Sequence, residues 1–128
     1  MSEIRPLRPD DIEAVAALFQ AIFRDPAAAP PRSLAAYLRR LYLEMPGRDP
    51  EIAPLVHVEP GGDITGFVGV NALPMRHGER RLRAAICGSL MVRDREADPM
   101  AGARLLKAFL AGPQDISFSE TAREVSSR

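Results

Sequence analysis

Cysteine is nearly absent from this chain, and so is any excess of charge. A single cysteine, Cys87, among 128 residues excludes an internal disulfide and a thiolate metal cage, and agrees with a reducing compartment. Lys and Arg total 17, as do Asp and Glu, so no net field draws nucleic acid or an anionic membrane, and neither is expected as a partner. Long hydrophobic runs are missing too. None approaches the roughly 18 residues of a membrane span, and the opening MSEIRPLRPDD has no apolar h-region. A soluble, cytoplasmic protein is the expectation. Low-complexity tracts and internal repeats are also lacking, although 12 prolines and 9 glycines punctuate the chain. What is present, 46% apolar residues, suffices for one modest core and a single domain over residues 1–128.

Periodicity and turn chemistry then order the chain. Residues 3–7 (EIRPL) are β-like, and Pro9-Asp10-Asp11 suits the first turn of a helix. Ile12, Val15, Ala16, Phe19, Ile22 and Phe23 recur at helical spacing and predict one apolar face, ended near Asp25-Pro26. Ser33 is the expected N-cap of a second helix that buries Leu34, Tyr37, Leu38, Leu41, Tyr42 and Met45, with Pro46-Gly47 as its stop. The period then changes to two. Residues 55–58, 64–73 and 82–92 read as strands joined by Pro60-Gly61-Gly62-Asp63 and His77-Gly78-Glu79, an antiparallel meander. Ile64, Gly66, Val68, Val70 and Ala72 should share one face, and Ala85, Cys87, Ser89 and Met91 another. Gly66, Gly69 and Gly88 inside strands mark bulges or close approaches.

The stretch MVRDREADPMAGARLLKAFL, residues 91–110, carries a strand end through a charged loop into a helix whose core side is Leu105, Leu106, Phe109 and Leu110, stopped by Gly112-Pro113. Residues 115–119 (DISFS) form a last strand, parallel to the one before if the two are neighbours. The order is β-α-α-β-β-β-α-β. The class is α/β (α+β), a mixed, mostly antiparallel sheet with helices on both faces.

That order, together with the strand ending LMV and the helix start AGARLLKAFL, resembles the GNAT superfamily of acyl-CoA-dependent N-acetyltransferases. The resemblance implies acetyl-CoA as cosubstrate and a small-molecule or peptide amine as acceptor. It implies that the thioester carbonyl takes an N–H at Met91 or Val92, and that the pyrophosphate sits on the N–H groups of Met100, Ala101, Gly102 and Ala103, with Arg104 or Arg93 adding charge. The loop departs from the family pattern of Arg or Gln, two residues, Gly, one residue, then Gly or Ala. Those sites fall on Ala97, Met100 and Gly102, and only Gly102 fits, while Pro99 has no N–H to donate. A second departure concerns length. The family continues through another helix and two strands, so the expectation is a domain lacking that part, with Thr121-Ala122-Arg123-Glu124 opening a helix: either a fragment of a longer protein or a domain that completes itself as a homodimer through the exposed sheet edge.

Other candidates carry less. Arg80, Arg81 and Arg83 cluster at a hairpin within reach of a nucleotide phosphate, or simply in solvent. Glu44, Glu51, Glu59 and Glu79 stand at element ends where carboxylates are normally solvated, and His57 and His77 show no metal spacing. Cys87 reads as a small core residue, and Tyr37 and Tyr42 as part of the second helix's apolar stripe. No catalytic residue is assigned from sequence. The alternatives to a transferase are a non-catalytic GNAT-like module acting in protein association and an unrelated α/β ligand-binding domain.

Overall fold

In the computed structural model, which describes residues 2–119, five strands form one sheet in the order β1-β2-β3-β4-β5. The chain runs β1 (Glu3–Pro6), a 3-10 turn (Pro9–Asp11), α1 (Ile12–Phe23), α2 (Arg32–Tyr42), β2 (Leu55–Val58), β3 (Ile64–His77), β4 (Arg80–Val92), α3 (Ala101–Leu110) and β5 (Ile116–Ser119). β1 to β4 pair antiparallel, and β5 runs parallel to β4 after the α3 crossover. The expected class and element order both hold. The helix start expected at Thr121-Ala122-Arg123-Glu124 lies outside the described residues. Among those described, no helix is long and apolar enough to cross a membrane.

Each sheet face buries its own cluster. Ile12, Val15, Leu34, Leu38 and Tyr42 of the first two helices cover Val56, Phe67 and Met91 on one face. Leu105 and Phe109 of α3 cover Val68, Val70, Ala85 and Cys87 on the other.

The sheet alternates less simply than its sequence. Between His57 and Val58 the β3 partner jumps from Gly66 to Ile64, so Thr65 is an extra residue and Ile64 turns to the α1/α2 face instead of sharing one with Gly66. Between Val68 and Val70 the β4 partner jumps from Leu90 to Cys87. That bulge at Gly88-Ser89 sends Met91 to the α1/α2 face while Ala85 and Cys87 stay under α3. One inserted residue swaps inside for outside along the rest of a strand.

Helix details differ as well. α2 starts one residue before Ser33, with Pro31 in the cap position and no side-chain cap. Tyr37 is exposed on it and Met45 beyond its end at Tyr42, as are Ile22 and Phe23 at the end of α1 and Leu106 and Leu110 on α3. Their apolar stripes are wider than the surface the sheet offers to cover them. The β3–β4 hairpin extends further than expected because Met75↔Leu82 and His77↔Arg80 continue the ladder beyond the reach of β2. Its two-residue loop has Gly78 at φ +63° and no other positive φ, a type II′ turn with glycine at the position that requires it.

Candidate functional site

The site is the junction where β4 ends and α3 begins. Close packing fixes it there. A Cβ at Gly66 would stand 3.0 Å from Leu105 Cδ1 and 3.0 Å from His57 Cβ, so α3 lies directly on β3. Gly102 faces Val92 and Leu90, where an added Cβ would meet Val92 Cγ2 at 3.6 Å. The helix N-terminus therefore sits against the last residues of β4.

Backbone donors can be followed one by one. Asp94 orders the first half of the loop, its Oδ1 accepting the N–H groups of Glu96 and Ala97 at 3.0 Å each. The Ala101 N–H donates to the Asp98 carbonyl at 3.3 Å and the Arg104 N–H to the Met100 carbonyl at 2.9 Å. Among the described residues, the N–H groups of Gly102 and Ala103 have no backbone acceptor, as expected for the first turn of a helix.

In β4, the Arg93 N–H donates to the Thr65 carbonyl at 2.8 Å. The antiparallel alternation then turns the Met91 N–H toward Phe67 and those of Leu90 and Val92 toward the opposite edge. β5 pairs only with Ala84 to Cys87, so from Ser89 onward that edge of β4 has no strand partner among the described residues. Of the two donors expected from sequence, Val92 faces the open edge. Met91 does not, and its side chain is buried on the α1/α2 face.

A polar network that sequence reasoning missed lies beside the helix start. His57, 1% exposed, presents both ring nitrogens to partners. Arg104 Nη2 donates to His57 Nε2 at 3.0 Å, which leaves the ring proton on Nδ1 to donate to Thr65 Oγ1 at 2.9 Å. The Thr65 hydroxyl donates on to Glu59 Oε1 at 3.3 Å. Arg104 Nη2 also donates to Asp98 Oδ2 at 2.6 Å. That hydrogen bond, with the Arg104 charge, holds the Asp98 carboxyl below the usual aspartate range and outweighs the opposing effect of burial. His57, Glu59 and Asp98 offer ligand atoms within 4.8 Å of one another, yet the Arg104 guanidinium already stands between His57 and Asp98, where a cation would have to sit.

The remaining sequence candidates fall elsewhere. Arg83 is committed to Asp49, at 2.6 Å, and to Glu51, at 3.1 Å; it lies nine positions before Val92, roughly 30 Å along an extended strand. Cys87 is buried in the α3-side core. Tyr42 is buried edge-on to Phe67 at 5.3 Å between ring centroids, its phenol seated where a Cβ at Gly69 would have to go. Tyr37, Arg40, Leu41, Glu44, Met45 and Pro46 line an open groove along α2 of about 570 Å³.

No protein-family model and no curated protein matches this sequence, but solved structures do match its fold. One is a GNAT family acetyltransferase from Staphylococcus aureus subsp. aureus USA300_TCH1516, with TM-score 0.68 at 13% identity over 95% of this chain and 87% of that one. This chain has the GNAT fold. The GNAT core also superposes on a ribosomal-protein-alanine N-acetyltransferase from Brucella melitensis biovar Abortus 2308, with TM-score 0.68 at 17% identity over 97% and 83% of the two chains. An aminoglycoside acetyltransferase from an uncultured soil metagenomic sample gives TM-score 0.67 at 20% identity over 98% and 80%. At these identities the GNAT likeness concerns architecture, and chemistry must be argued from the site itself.

Proposed function

We propose that this chain is an acyl-CoA-dependent N-acyltransferase domain that takes acetyl-CoA as acyl donor and a small-molecule or peptide amine as acceptor, in the cytoplasm. The observation that carries it is the conjunction, in a GNAT fold, of a β4 edge at Leu90–Val92 with no strand partner and the N–H groups of Gly102 and Ala103 with no backbone acceptor, both among the described residues. Those N–H groups suit a pyrophosphate, and the Val92 N–H suits a thioester carbonyl that gains negative charge during transfer. Acetyl-CoA, when bound, supplies that thioester. Arg93, exposed and without an ion pair among the described residues, is the cation best free to add charge to the phosphates, since Arg104 is shared between Asp98 and His57.

Calorimetric titration with acetyl-CoA and with CoA tests this. Saturable binding is expected, and Gly102→Asp, which adds charge and bulk beside the phosphates, should abolish it while the fold persists, because a Cβ there meets nothing nearer than 3.6 Å. Absence of binding both by the folded protein and by Asp98→Asn, which frees the Arg104 guanidinium from its carboxylate partner, would sink the proposal.

A second reading, association of two copies through the β5 edge, is favoured by one observation: among the described residues β5 ends the sheet order, and Phe118 on it is 43% exposed.

A further inference from the structure

The N-terminus of α3 already holds an anion belonging to the protein. Asp98 Oδ2 lies 2.6 Å from Arg104 Nη2. Arg104 is one of the two cations the resemblance offers to the phosphates. Carboxylate and phosphate oxygens compete for such donors on equal terms of geometry and charge.

The two partners of this contact are not equally fixed. Arg104 is braced from behind by His57 Nε2 at 3.0 Å, and His57 is buried and held in turn through Thr65 and Glu59. Asp98 is on the loop, with its side chain 30% exposed, and a rotation about its own χ1 would carry the carboxyl into solvent. We propose that Asp98 is a built-in competitor for the pyrophosphate position: CoA binds only by displacing this carboxylate from Arg104, while His57 keeps the guanidinium in place to receive the phosphate. This rests on the acyl-CoA assignment above and adds to it a residue that sets affinity.

The test compares unmodified protein, Asp98→Asn and Asp98→Ser in calorimetric titrations with CoA and with pantetheine, which lacks the pyrophosphate. Asparagine and serine both serve well near helix starts, so either variant can keep the fold if the other does not. CoA should bind the variants about tenfold more tightly, the scale of one charge-assisted hydrogen bond no longer displaced, with pantetheine unchanged. In the unmodified protein, the Asp98 side-chain carboxyl resonance should move toward that of a solvated carboxylate as CoA saturates. CoA binding by the variants alone would support the competitor in its strongest form. Equal or weaker CoA binding by both variants, beside saturable binding by the unmodified protein, would overturn it and leave the acyl-CoA assignment standing. No CoA binding by any of the three, each with a cooperative melt, would overturn both.

Discussion

Asp11 shows how much one side chain can tie together. Its carboxylate accepts Arg5 Nη1 at 2.7 Å and Arg5 Nη2 at 3.0 Å, and the Arg8 N–H at 2.7 Å, joining β1 to the turn that starts α1. Burial opposes its ionisation, but the Arg5 hydrogen bonds, the Arg8 N–H and the charges of both arginines outweigh that and hold its pKa below the usual range. A carboxyl with a lowered folded-state pKa contributes stability above the ordinary aspartate range and loses it as pH falls through the folded value. Asp11→Asn should therefore cost about 1–3 kcal/mol at pH 7 and make stability less dependent on pH below about 4, as read from urea melts across that range. Gly66→Ala acts by crowding instead. Its Cβ would press on Leu105 and His57 at 3.0 Å and on the Met91 carbonyl at 3.3 Å, an overpacking worth about 1–3 kcal/mol that a lowered Tm would report. Arg93→Ala should leave stability unchanged and weaken CoA binding, a calorimetric outcome that distinguishes it from Gly66→Ala.

Among the elements, α3 depends on two anchors. Leu105 is fully buried and Phe109 nearly so, and Leu105→Ala should cost about 2–5 kcal/mol in chemical denaturation. Element order was legible in the sequence because periods of 3.6 and 2, with Pro and Gly between them, are local signals that packing here did not override. The faces of Ile64 and Met91 were not. Gly88 hinted at a bulge, but nothing local says which residue is the extra one, and after it every inside and outside position exchanges. Small residues at Ala101, Gly102 and Ala103 singled out the helix start as the candidate place for an anion. The His57–Arg104–Asp98 contact was hidden because it joins positions 47 residues apart, and only the β2–β3 register and the docking of α3 bring them together.

At the scale of the whole molecule, two cores on opposite faces of one sheet leave its edges to decide association. If two copies pair through β5, Phe118→Lys should convert a dimer to a monomer in sedimentation velocity. A protein that is monomeric without the substitution sinks that reading. The long β3–β4 hairpin has a different consequence. Its outer end is a two-stranded ribbon with exposed residues on both strands and the Gly78-Glu79 turn at its tip, the whole length of β4 (Arg80–Val92) away from the loop that starts α3 and outside both core clusters. Such a tip accepts added chain at small entropic cost, so a short Gly-Ser insertion between Gly78 and Glu79 should leave melting and ligand titrations unaltered. That makes it the natural point for opening the polypeptide, attaching a dye or hosting a second protein.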